Sequence, residues 1–343
     1  MDLWNFSEAT AMTTYNLAVI PGSGIGHEVV PEAIRLLEST SLNFDCQTFE
    51  IGYEVFKKTG SSVPDKVIKK MRNSTQACLF GATTTPLGIQ GYKSAILTLR
   101  KALDLYANIR PAKSLPLKNS FEGVDLVIVR ENTEGLYSGM EFELPDTACS
   151  VRVITRKATE RIVKYAFELA MKRSKMLTVV TKANIMRKSD GLFLEVARNL
   201  AKDYPEVEMK ELLVDVAAMN LVMHPQSYDV IVTSNLFGDI LSDEAAGLVG
   251  GLGLAPSANI GSNYALFEPV HGSAPDIAGK GIANPMAAIM AAKMMLDYFG
   301  ETNWANRIEN AVLSVLEKAK VLTPDLGGSS LTTQVTDAII DAL

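Results

Sequence analysis

Apolar residues in this chain fall into two patterns. Short unbroken runs, bounded by Gly, Pro or charged residues, predict buried strands over residues 16–20, 77–82, 124–129, 177–181, 209–214 and 228–233. Between them, apolar residues recur every three or four positions. That spacing predicts helices starting near Glu28, over 92–105 and over 157–173, with two more, 285–299 and 305–320, closing the chain. Strands alternating with helices predict a largely parallel sheet covered by helical layers. Residues 141–154 differ: Phe142, Leu144, Val151 and Val153 alternate around Pro145-Asp146-Thr147, which predicts a projecting β-hairpin arm of the kind used for dimer contacts.

The chain has 343 residues, 47% apolar and 21% charged, enough for two domains or one large one. Its net charge of −6 argues against a nucleic-acid partner. No apolar run reaches the roughly 18 residues of a membrane span. Cys46, Cys78 and Cys149 form no C-x-x-C motif, which fits a reducing compartment. Residues 1–12 lack the basic and apolar regions of a signal peptide and read as a short extra arm. The expected location is the cytoplasm.

Gly22-Ser23-Gly24-Ile25-Gly26 follows the first strand but is not the dinucleotide fingerprint, whose third glycine would fall at His27. The strongest chemical signal comes later, where the strand ending at Thr233 runs into Ser234-Asn235-Leu236-Phe237-Gly238-Asp239-Ile240-Leu241-Ser242-Asp243-Glu244. On a helix, Asp239 and Asp243 share one face a turn apart. Two stacked carboxylates without Cys or His suit a hard cation such as Mg2+ or Mn2+. An isolated D-x-x-x-D reads better as a solvated helix face, so the rest of the chain decides. Arg100, Arg110 and Arg130 each stand near the end of a predicted element, Arg130 at the end of an apolar strand. Together, three guanidiniums would grip a substrate with several carboxylates. Tyr137 lies in a glycine-flanked turn, and Lys182 ends a buried strand, where desolvation and nearby cations can adapt a lysine to act as a base.

At these residues the chain resembles the β-decarboxylating dehydrogenases: isocitrate, homoisocitrate and 3-isopropylmalate dehydrogenases. The similarity rests on six stretches in order, 19–26, 105–111, 130–137, 181–186, 235–243 and 267–280, and covers the chain from about Tyr15 onward. Ser23 and His27 depart from the family's usual Asp and Pro, at positions that are not catalytic in it.

The resemblance implies an α/β fold with a mixed sheet flanked by helices and no Rossmann unit. Residues 1–105 plus 250–343 would form the dinucleotide-binding domain, and 106–249 the dimerisation, metal and substrate domain with its β-arm. It further implies a homodimer with shared sites. Arg100, Arg110 and Arg130, with Ser94 and Asp215, would contact substrate. Asp239 and Asp243 would hold Mg2+ or Mn2+ with the partner's Asp215. Tyr137 would be the acid and the partner's Lys182 the base. Thr84, Asn235, His271, Gly272, Ser273, Ala274, Asp276, Ile277 and Asn284 would bind the dinucleotide. Asp276 stands where NAD-dependent members place a carboxylate on the adenosine ribose; NADP-dependent members carry Lys-Tyr at the positions of Asp276-Ile277, so NAD is expected.

The implied substrate is less sharply defined. Residues 91–100 look most like homoisocitrate dehydrogenases. Ser94 matches isocitrate enzymes, but Ile96 replaces their Asn; Ile96 and Leu97 are apolar as in isopropylmalate enzymes, but Lys93 replaces their Glu. Thr84-Thr85-Pro86 looks like the isocitrate-type nicotinamide loop. The expected order is homoisocitrate or isocitrate, then 3-isopropylmalate. A non-catalytic regulatory subunit, the alternative from another class, would have lost members of the set Tyr137, Lys182, Asp215, Asp239 and Asp243, all present here.

Overall fold

The six residues Ala77–Ala82 are buried along their whole length, as expected of a strand covered on both faces. They sit inside a ten-stranded sheet in a computed structural model that describes residues 13–86 and 88–343. The expected arm at 1–12 lies outside the described residues.

The strands are β1 (Thr14–Gly22), β2 (Asn43–Thr48), β3 (Ala77–Ala82), β4 (Ala107–Lys113), β5 (Asp125–Glu131), β6 (Glu141–Leu144), β7 (Thr147–Ser150), β8 (Met176–Thr181), β9 (Glu208–Leu213), β10 (Val230–Thr233), β11 (Pro256–Ile260) and β12 (Ala265–Pro269). The helices are α1 (Gly26–Glu38), α2 (Tyr53–Thr59), α3 (Asp65–Ser74), α4 (Ala95–Ala102), α5 (Arg156–Met171), α6 (Ser189–Leu200), α7 (Val214–Met223), α8 (Asn235–Leu248), α9 (Met286–Phe299), α10 (Thr302–Lys318) and α11 (Thr332–Ile340).

The sheet runs β2-β1-β3-β12-β11-β4-β5-β10-β8-β9, with β6 and β7 pairing separately as the expected hairpin. It is mixed and, as expected, largely parallel: six of its nine strand pairings among the described residues are parallel. Two parallel blocks, β2-β1-β3-β12 and β5-β10-β8-β9, are joined through antiparallel contacts of β11 and β4 and so run in opposite senses. The periodicity did not assign β4, β11 or β12 because their interior carries polar residues. Asn108, Ser257 and Asn259 are wholly inaccessible to solvent, yet they satisfy one another: Asn108 Nδ2 donates to Ser257 Oγ (2.7 Å) and Asn259 Oδ1 (3.0 Å).

Three apolar clusters fill the layers. One draws only on 18–105 and 264–266, another only on 112–249, and the largest spans both, with α1, α5, α9 and α10 packed on the sheet. Two further elements differ from expectation. The helix expected over 92–105 is confined to α4, because Asp104 takes φ +49° and Leu105 N–H bonds back to Arg100 O (2.8 Å), ending the helix. A third closing helix, α11, follows α10.

Candidate active site

The site forms where β4, β5 and the N-terminal turns of α8 meet the last turn of α4. Ser234 precedes α8 in extended conformation, and the helix then carries Asp239 and Asp243 on one face, as their spacing predicts. Gly238 is required there: a Cβ would lie 2.6 Å from Arg130 Cγ and 2.7 Å from Arg130 Cβ. The absent side chain lets β5 and α8 approach, so Arg130 reaches three acceptors on the helix. Its Nε donates to Asn235 O (2.9 Å), Nη2 to Asn235 Oδ1 (2.8 Å) and Nη1 to Asp239 Oδ1 (2.5 Å). Arg110 Nη1 lies 3.1 Å from Asp243 Oδ1 and 3.4 Å from Asp239 Oδ1, and donates to Ser242 Oγ at 2.7 Å. Arg100 pairs with Glu268 at 3.0 Å. The buried asparagine network orients both ends of this row, since Arg110 Nε donates to Asn108 Oδ1 (2.7 Å) and Asn259 Nδ2 to Glu268 Oε1 (2.7 Å).

All three arginines are buried, and they feel one another. Burial lowers the Arg130 and Arg110 guanidiniums from their ordinary values, and neighbouring arginines lower them further. Such crowding of positive charge favours an added polyanion. Burial works to raise the Asp239 carboxyl, but Arg130, the Tyr137 hydroxyl and Arg110 outweigh it and hold it below the usual range. Asp243 goes the other way, lifted by burial and by Asp239, with Arg110 only partly opposing. Tyr137, in the turn after Gly135, donates its hydroxyl to Asp239 Oδ2 at 2.5 Å. Burial and that carboxylate raise its pKa, so it carries its proton at neutral pH. A cavity of about 160 Å³ opens beside this cluster, its lining including Ile96, Arg100, Arg110, Glu268 and His271. Ser94 is the residue before α4; its hydroxyl does not cap the helix.

Lys182 and Asp215 form a second group. Lys182 Nζ lies 2.6 Å from Asp215 Oδ1, so the lysine faces a carboxylate rather than other cations. Lys182 lowers the Asp215 pKa through that hydrogen bond. Among the described residues no three His, Cys, Asp or Glu side chains gather into a metal-holding cluster, so Asp215 does not join Asp239 and Asp243 within the chain.

Of the expected dinucleotide residues, Thr84 and Ser273 meet beside the Gly24 turn, and Asn235 is held by Arg130 at the start of α8. Gly24, at φ +57°, has no room for a Cβ, which would fall 2.0 Å from Ser273 O; Ile25 N–H donates to that oxygen at 2.9 Å. Thr84 Oγ1 and Ser273 Oγ share a hydrogen bond of 2.8 Å. Ala274 takes φ +38°, and Gly272 and Asp276 are exposed on the same loop, whereas Ile277 packs against the main core. Asn284 holds the loop's far end, donating to Asp325 and accepting from Met286 N–H. Asn235 Nδ2 and His271 Nε2 are buried without a hydrogen-bond partner among the described residues.

A model of the isocitrate/isopropylmalate dehydrogenase family matches residues 16–343. The chain belongs to that family. It is an oxidoreductase, a decarboxylating dehydrogenase. It is 54% identical over 331 residues to the isocitrate/homoisocitrate dehydrogenase of Thermus thermophilus, covering 96% of this chain and 98% of that one. It is 48% identical over 329 residues to the 3-isopropylmalate dehydrogenase of Archaeoglobus fulgidus, covering 95% and 99%. Its fold matches the crystal structure of isocitrate dehydrogenase from Methylococcus capsulatus with a TM-score of 0.91 and 48% identity, over 96% and 99% of the two chains. Relatives differing in substrate thus resemble this family member to nearly equal degrees.

Sequence reasoning missed the supporting groups: Asn108, Asn259 and Glu268 behind the arginines, Gly238 under Arg130, and the pair Arg152–Asp190. Asn108, Gly238 and Glu268 lie inside the family-like stretches, but only the packing gives them a role.

Proposed function

We propose that this chain catalyses NAD- and Mg2+- or Mn2+-dependent oxidative β-decarboxylation of a 2-hydroxy tricarboxylic acid of the isocitrate or homoisocitrate type. The observation that carries the reading is the row Arg100, Arg110 and Arg130, three mutually crowded guanidiniums beside a paired-carboxylate helix face. When bound, a divalent cation on Asp239, Asp243 and the partner's Asp215 supplies Lewis-acid polarisation of the substrate hydroxyl and carboxylate, and NAD supplies the hydride acceptor. The donor set fits a hard cation, being all carboxylate. The arginines bind and orient the substrate carboxylates. With the partner's Asp215 taken up by the cation, the partner's Lys182 would be released from that carboxylate to accept the hydroxyl proton at Nζ as hydride leaves C2 for NAD. Loss of CO2 leaves an enolate, and Tyr137 Oη, held protonated beside Asp239, delivers the proton to its carbon.

The site is shared in a homodimer. Met219, Val222 and Met223 on α7 and Ile240 on α8 are each roughly half exposed or more, an apolar stripe suited to a second copy. Asp215 lies one turn before Met219 on α7, and Ile185, 71% exposed, follows Lys182 closely, so the Lys182–Asp215 group borders that stripe. The exposed Phe142 and Leu144 of the hairpin add to the dimer contact. The two smaller core clusters support a division into 1–105 plus 250–343 and 106–249. The unpaired thiols Cys46, Cys78 and Cys149 accord with a cytoplasmic enzyme.

Ile96 lining the cavity favours a second reading, 3-isopropylmalate, whose apolar branch it would contact. A panel of isocitrate, homoisocitrate and 3-isopropylmalate tests the choice. The expected result is a kcat/KM for homoisocitrate or isocitrate at least about tenfold above that for 3-isopropylmalate, the scale of one unsatisfied buried charge contact at ~1.4 kcal/mol per decade. The reverse order would replace the first reading by the second.

A further inference from the structure

Asp190, in the first turn of α6, is 1% exposed. Its Oδ2 accepts the backbone N–H of Lys182 at 2.6 Å. Its Oδ1 lies 2.7 Å from Arg152 Nη2, the approach of an ion pair rather than of an aligned hydrogen bond. Arg152 continues to the other side. Its Nη2 donates to Ser234 Oγ at 2.7 Å, and its guanidinium lies 4.7 Å from the centre of the Phe237 ring. Nη1 is 3.0 Å from Met186 Sδ. One residue further on, Val153 pairs with Gly135, at the base of the Tyr137 turn. A buried ion pair is weak evidence of stabilisation, because desolvation consumes most of its attraction. Its placement tells more: it bridges the segment that presents Lys182 and the segment that starts α8 with Asn235 and Asp239.

We propose that Asp190 and Arg152 are a positioning pair: Asp190 fixes the Lys182 backbone, and Arg152 ties that anchor to the Ser234–Phe237 entry of α8. This rests on the reading that Lys182 serves the neighbouring subunit's site while α8 serves its own. The pair then joins the two active sites of a dimer through each subunit, and Asp190 acts on the site across the interface.

Kinetics and hybrid dimers test this. Asp190→Ala should lower kcat about thirtyfold or more with less than about a threefold change in substrate KM, the scale expected when a catalytic group is displaced by a fraction of an ångström to an ångström. Asp190→Asn, which retains an acceptor for the Lys182 N–H, should recover most of the loss and serves if the alanine variant folds poorly. Hybrids assembled from differently tagged subunits give the decisive readout. Tyr137→Phe paired with Lys182→Ala is the control and should regain about half the wild-type activity per dimer, since one site then keeps both groups. Tyr137→Phe paired with Asp190→Ala should regain activity to the same extent. Recovery in the control but none in the Asp190 hybrid would overturn the positioning role across the interface. No recovery in the control would overturn the shared site and this inference together. Unaltered kcat in both Asp190 variants would also overturn it.

Discussion

Asp239→Asn is expected to lower kcat/KM by on the order of a thousandfold, about 4 kcal/mol of transition-state stabilisation, in a protein that remains folded. The carboxylate has three roles at once: it holds Arg130, accepts from Tyr137 and contributes half of the α8 carboxylate pair. Asparagine keeps the volume and one acceptor but loses the charge that a hard cation requires. The fold should survive because Arg130 keeps both neutral acceptors on Asn235, but its buried guanidinium loses its ion-pair partner. A lower Tm is expected, measured by circular dichroism beside the kinetics. Excess EDTA should abolish wild-type turnover in the same assay. Near-normal kcat/KM in the variant, or full turnover in EDTA, would contradict the assignment.

NAD should be preferred over NADP by at least about a hundredfold in kcat/KM. Asp276 is exposed on the loop that follows His271. A 2′-phosphate placed against it meets like charge, which costs several kcal/mol when the juxtaposition is close; even ~2.8 kcal/mol, partly screened by solvent, gives roughly a hundredfold. Asp276→Lys should narrow the gap by removing the repulsion. Adding Ile277→Tyr should favour NADP further but lower stability, because Ile277 packs against the main core. Steady-state kinetics with both dinucleotides checks this, and comparable wild-type values would show that the loop selects by another means.

The sequence was legible wherever burial was uniform. Ala77–Ala82 is a strand in both readings because all six residues are buried, and the α8 carboxylates follow from their spacing alone. It was least legible where polar residues are buried against one another. Asn108, Ser257 and Asn259 break the apolar run of β4 and β11, so these strands and the antiparallel centre of the sheet went unassigned. The arginines were visible as candidates, but not the Glu268 and Asn108 partners that orient them: Glu268 lies 168 residues from Arg100, and Asn108, two residues from Arg110, shows its role only once both are buried. Asp190 carries no sequence signal, because its partner Arg152 lies on the segment between β7 and α5 and reaches α6 only through the fold.

The most direct measurement of the central claim follows reduced nicotinamide and released CO2 together, with the purified chain, NAD, Mn2+ and homoisocitrate or isocitrate. The account predicts the two products in equimolar amounts, both lost in Lys182→Ala. Reduced nicotinamide without CO2, or neither product with any substrate of the panel, would contradict it.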